Sequence, residues 1–151
     1  MAQISGMHHA CIIVPEIEEA KKWYQDVLGL KLMAEFDLAS PEVGTGVAVP
    51  NAHLLGAMLQ WGEAEGATMV ELIEYANPAG QKFDPDTPSN AQGVAHIAFS
   101  TVDAIDELYS EFVAKGVKFY SPPQSVEVGG AVVKFCYFQD LNGAKLEFIG
   151  T

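Results

Sequence analysis

The chain changes between two hydrophobic periods. Residues 8–14, His-His-Ala-Cys-Ile-Ile-Val, form a short apolar run that predicts a strand. Residues 16–28 then take helical spacing, with Ile17, Ala20, Trp23, Tyr24, Val27 and Leu28 on one face. Pro15 suits the helix start, Glu16, Glu18 and Glu19 sit where the helix dipole favours negative charge, and Gly29 can close the last turn. Strands are predicted over 30–38, 54–61 and 68–75. A Gly- and Pro-rich loop at 39–53 and a Gly-Glu-Ala-Glu-Gly turn separate them. Residues 76–92 hold three Pro, two Asn and one Gly, a linker composition.

The same order then returns. A strand is predicted over 94–101, a helix over 103–115 with Ile105, Leu108, Tyr109 and Phe112 on one face, and strands over 117–120, 131–138 and 144–149. Gly129-Gly130 and Asp140-Leu-Asn-Gly143 mark turns. His9 to Gly29 and His96 to Gly116 both span 20 residues, and each copy closes on Gly, an aliphatic residue, Lys and an apolar residue. The expectation is an internal duplication of βαβββ in one 151-residue domain. Module one runs over about 6–76, the linker over 77–92 and module two over about 93–151.

Composition narrows the function. The net charge is −12 and there is no arginine. Such a surface repels nucleic acid and anionic membranes, and it lacks the guanidinium fork that clamps carboxylates and phosphates. No apolar run reaches the length of a membrane span, and the first residues lack the features of a secretory signal. Cys11 and Cys136, alone in apolar strands, read as buried free thiols of a reducing, cytoplasmic compartment.

The duplication also pairs polar residues. Glu71 lies in Val70-Glu71-Leu72-Ile73 and Glu147 in Leu146-Glu147-Phe148-Ile149, each a lone carboxylate in an apolar run of its half's last strand. With His9 and His96, which begin the two halves, they make a set of two imidazoles and two carboxylates. That set suits one divalent ion, Zn, Ni, Co, Mn or Fe. Four protein ligands leave adjacent positions where a substrate can chelate through two oxygens and pass through an enediolate. A neighbouring carboxylate can move the proton, which makes Glu147 and Glu71 the candidate catalytic residues.

The doubled βαβββ, the opening His9-x-x-Ile-x-Val-Pro-x-Ile, the x-Glu-Leu/Phe-Ile strand closing each half and Asp140-x-Asn-Gly143 resemble the vicinal oxygen chelate superfamily, the glyoxalase/bleomycin-resistance/dioxygenase group. The resemblance covers nearly the whole chain. It implies an α+β glyoxalase-like fold of cupped mixed sheets, metal ligands at His9, Glu71, His96 and Glu147, a small-molecule substrate and a homodimer. Ring-cleaving dioxygenases and fosfomycin-modifying transferases of this group use three ligands, without the equivalent of Glu71. Lactoylglutathione lyase and methylmalonyl-CoA epimerase use four. Glu71 therefore points to a metal-dependent lyase or isomerase. The epimerases carry Gln at that position, and glyoxalase proper holds glutathione with arginines absent here. The alternatives are an Fe(II) extradiol dioxygenase and a non-enzymatic small-molecule-binding protein.

Neighbouring residues receive ordinary readings. Alternation sends His8 to the face opposite His9, and Glu74 to the face opposite Glu71 as solvated surface. Cys11 shares the face of His9 but reads as a packed core thiol. His53 reads as an exposed loop residue. Phe135 and Tyr137 are pocket wall or core, as are Met33, Phe36, Met58 and Trp61. The first half is longer, 62 residues from His9 to Glu71 against 51 from His96 to Glu147, and the 39–53 loop supplies most of the excess. That loop is a candidate for substrate selection.

Overall fold

A computed structural model describes residues 6–62, 67–93, 95–101 and 104–150. The chain forms two compact units that divide between Lys82 and Phe83. The first contains β1 (His9–Ile13), α1 (Ile17–Asp26), β2 (Lys31–Leu38), α2 (Pro41–Gly46), β3 (His53–Gln60) and β4 (Met69–Asn77). Its sheet order is β1-β4-β3-β2. The β1/β4 pair is parallel and the others are antiparallel.

α1 covers one face of this sheet. Ile17, Ala20 and Tyr24 are buried with Ala57, Leu59, Val70 and Leu72. The helix ends as the sequence predicts. Gly29 sits at φ 72°, where a side chain would strain, and the Leu30 N–H turns back to the Tyr24 carbonyl at 3.1 Å. The Trp61 indole N–H donates to the Leu28 carbonyl at 2.7 Å, so Trp61 closes the helix end and is partly exposed rather than core. Met33 is likewise exposed, at a register shift between Leu32 and Ala34.

The 39–53 segment is not wholly loop. α2 begins at Ser40, whose hydroxyl accepts from the Val43 N–H, with Pro41 in the first turn. Gly44 and Gly46 obscure this helix in the sequence. Gly44 is required by packing, since a Cβ there would meet the Val49 carbonyl at 3.0 Å. His53 is also not a loop residue. It starts β3, and its Nε2 lies 2.6 Å from Asp37 Oδ1.

The second unit contains β5 (Ile97–Ser100), α3 (Ile105–Ala114), β6 (Lys118–Phe119), β7 (Gln124–Val128), β8 (Ala131–Gln139) and β9 (Lys145–Gly150). Its order, β5-β9-β8-β6, repeats the first unit, with β5/β9 parallel. β7 is an additional strand on β8, so this half has five strands rather than four. Gly129 and Gly130, both at positive φ, make the two-residue turn of the β7/β8 hairpin. Under α3 lies an aromatic core of Phe99, Phe112, Phe138 and Phe148. Val94 and Asp103, the predicted starts of β5 and α3, lie outside the described residues. The two sheets with few helices make the α+β architecture that the sequence resemblance implies.

Candidate functional site

In the first unit, His9 Nε2 lies 3.1 Å from Glu71 Oε2. The parallel register explains why. Cys11 stands directly opposite Glu71, and His9 precedes Cys11 by two residues, so all three share the sheet face that α1 leaves uncovered. In the second unit, His96 Nε2 lies 3.2 Å from Glu147 Oε2. Here Ala98 stands opposite Glu147, and His96 again precedes it by two residues. The duplicated sequence thus yields two His–Glu pairs at equivalent lattice positions, one in each unit. Among the described residues, no group of three or more His, Cys, Asp or Glu side chains is placed to hold one metal ion.

The surroundings of the pairs differ. Met58 of β3 faces Glu71, whereas Tyr137 of β8 faces Glu147. The Tyr137 hydroxyl is 3.3 Å from His96 Nε2. Its phenol is held above the usual range by burial, then by the charge of Glu147 and a hydrogen bond to it. Tyr137 is therefore part of the site, beyond a pocket wall. Phe135 packs edge-on against it at 6.0 Å.

His8 does not turn away from His9. The two Nδ1 atoms are 2.8 Å apart, so one must donate to the other. Alternation fails because His8 precedes β1. When His9 Nε2 donates to Glu71, its Nδ1 accepts from His8. When Nε2 offers its lone pair to a cation, its Nδ1 donates to His8. The His8 ring thus orients His9, as an outer hydrogen-bond partner orients a ligating imidazole.

Two further expectations change. Cys11 is exposed on the sheet face rather than packed in the core, while Cys136 is buried beneath α3. Partial burial of its sulfur and the adjacent Glu71 push the Cys11 thiol up to about 12. Glu74 does lie on the opposite face from Glu71, but it is not idle surface. Its Oε2 accepts from the Ile17 N–H at 2.8 Å and caps α1, where Glu16 makes no side-chain cap.

The turn before β9 fixes Glu147. Buried Asp140 accepts from the Asn142 and Ala144 N–H groups, both at 2.8 Å. Gly143 sits at φ 88° with Pro85 where a Cβ would fall. This is the physical content of the Asp-x-Asn-Gly motif. Beyond the turn is a residue that sequence reasoning missed. Lys145 is only 5% exposed and lies on the face of Glu147, two residues before it. Its parity with Glu147 was the available signal.

Fold and paired sites both point to one class, the duplicated βαβββ proteins with a His–Glu pair in each half. The family model of the glyoxalase/bleomycin resistance protein/dioxygenase superfamily matches residues 6–148, and the chain belongs to that superfamily. It is 27% identical to the YaeR protein of Escherichia coli K12 over 97% of both chains. It is 25% identical to the mitochondrial methylmalonyl-CoA epimerase of Mus musculus, over 96% of this chain and 72% of that one. A glyoxalase family protein from Bacillus cereus superposes with a TM-score of 0.80 at 19% identity, covering 99% and 95% of the two chains.

Proposed function

We propose that the chain is a divalent-metal-dependent lyase or isomerase that moves a proton on a small carbonyl or hydroxyacyl compound, with His9, Glu71, His96 and Glu147 as metal ligands. The observation that carries this reading is the repetition of one His–Glu pair at the same register in both units. The donor atoms fit. Each pair sets an imidazole nitrogen beside a carboxylate oxygen, at 3.1 and 3.2 Å, and these are donor types that would hold a divalent ion. The ion would supply Lewis-acid polarisation of two neighbouring substrate oxygens. The epimerase among the relatives supports isomerase chemistry, at an identity that leaves the substrate open.

The chain's own groups have separable roles. Glu71 and Glu147 are the bases that can take or return a proton at the substrate carbon. Tyr137 holds His96 and Glu147 in their mutual orientation, and His8 does so for His9. The half-buried apolar side chains Phe36, Met58 and Ile73 surround Glu71 and limit water around it. A dioxygenase using only His9, His96 and Glu147 would leave the His9–Glu71 contact without a purpose.

Metal analysis of protein purified without chelators tests the reading. One divalent ion per site is expected, lost in His9→Ala and Glu147→Ala. Metal-loaded protein should then turn over a member of a panel of 2-oxo aldehydes, acyl-CoA compounds and catechols without consuming oxygen. Full-strength metal binding by both variants would overturn the ligand assignment, and oxygen uptake with a catechol would replace the lyase reading.

A further inference from the structure

In the second unit, the sheet face that carries Glu147 continues past the reacting pair into a cluster of donors. Lys145 stands opposite Gln139, and Lys118 stands on the other side of Gln139. Lys145 is almost wholly buried, yet no carboxylate contacts it among the described residues. Lys21, Lys22, Lys115 and Lys134 all have acidic partners. The Lys145 ammonium instead donates to the Tyr120 hydroxyl at 3.0 Å, and the Gln139 side-chain amide donates to the same oxygen at 3.0 Å and to the Pro85 carbonyl at 3.1 Å.

A tyrosine hydroxyl has one proton to give and room for two donors. Both acceptor positions of Tyr120 are filled. Its proton must point elsewhere, and no acceptor for it occurs among the described residues. Tyr120 lines a cavity of about 450 Å³ with Lys118, Thr87 and Ser89, and one carboxylate, Asp86, at the wall. The cavity therefore offers a phenol proton made a better donor by the ammonium behind it, a second ammonium and two hydroxyls. Its donors and ammonium charge outnumber its one carboxylate.

We propose that this cavity is an oxyanion site that takes the carboxylate or phosphate group of a small molecule, with Tyr120 as the direct donor, Lys118 as a second charge and Lys145 as the buried counter-charge. That the molecule is the substrate of the metal-dependent reaction rests on the function proposed above; the binding itself does not. The site would do with two lysines and a tyrosine what arginine does elsewhere, in a chain that has none.

The test titrates metal-free, ¹⁵N-labelled full-length protein with propionate and, separately, with inorganic phosphate. Saturable shifts of the Thr87, Ser89 and Tyr120 amides are expected with at least one anion, and the stronger binder identifies the group. Lys145→Met should weaken binding about tenfold, the scale of one charge-assisted hydrogen bond. Tyr120→Phe, at a partly exposed position, should weaken it about threefold or more and serves if Lys145→Met does not fold. The absence of saturable shifts with both anions overturns the proposal, as do shifts undiminished in the folded variants. Anion binding without metal binding would overturn the enzyme reading and leave the oxyanion site standing.

Discussion

The two His–Glu pairs occupy the same backbone lattice but different company. In the first unit Glu71 faces Met58 and Cys11, a thioether and a thiol, and among the described residues its polar contacts are His9 and Cys11. In the second, Glu147 faces Tyr137 and Ala98, so a phenol ties carboxylate to imidazole and a methyl replaces the thiol. The Glu147 side chain is also the less exposed, 8% against 15%. Duplication conserves geometry cheaply, because register alone fixes which residues meet. Specialisation then falls on the facing residues of the central strands. The second unit holds the pair with a phenol partner and the more buried carboxylate, and the first holds the pair with softer neighbours.

The largest test of that contrast is ligand removal. Glu147→Ala should reduce metal affinity more than a hundredfold in a chelator-competition assay, beyond the 10–100-fold typical of outer partners. Glu71→Ala should cost about tenfold less than Glu147→Ala; unchanged affinity in Glu71→Ala would confine the metal to the other three ligands. Next comes the phenol. Tyr137→Phe should lower metal affinity about tenfold, whereas Met58→Leu should stay within about twofold, because only the first removes an orienting hydrogen bond. Equal effects would erase the distinction between the units. Glu74→Ala should cost about 1 kcal/mol in urea unfolding by uncapping α1, with metal affinity unchanged. A metal defect there would mean that Glu74, not Glu71, serves the site.

The smallest effect concerns the thiol. At pH 8 in metal-free protein, Cys11 should alkylate slowly, because its pKa of about 12 leaves little thiolate. Glu71→Gln removes a negative neighbour, lowers that pKa and should speed alkylation about threefold. Cys136, buried elsewhere, should not respond. An unchanged Cys11 rate would show that Glu71 does not govern the thiol.

The element order, the two glycine-closed helices and both His–Glu pairs were legible because periodicity and repeat spacing depend only on backbone geometry. The missed features depend on what packs where. β7 buries neither face, since all five of its residues are exposed, and its short Val-Glu-Val alternation marks no core side. α2 hides behind two glycines, of which packing requires Gly44. A lysine in a strand reads as solvated, so burial of Lys145 under Tyr120 emerges only once the Asp140 turn and Pro85 are in place. Alternation places His8, Glu74 and Cys11 on faces without naming their partners, and it is the partners that define their roles.

One feature of the first unit bears on how such a site could change its appetite. The outer end of the Phe36 ring sits over Gly56, so closely that a Cβ on Gly56 would fall 2.0 Å from it. The floor beside Glu71 is thus a removable tile on bare backbone. Trimming Phe36 would open a slot down to the strand without disturbing the register that holds His9 and Glu71 together. Bulkier substrates could then be admitted by editing one residue, while the opposite trade, a side chain on Gly56, would evict the ring.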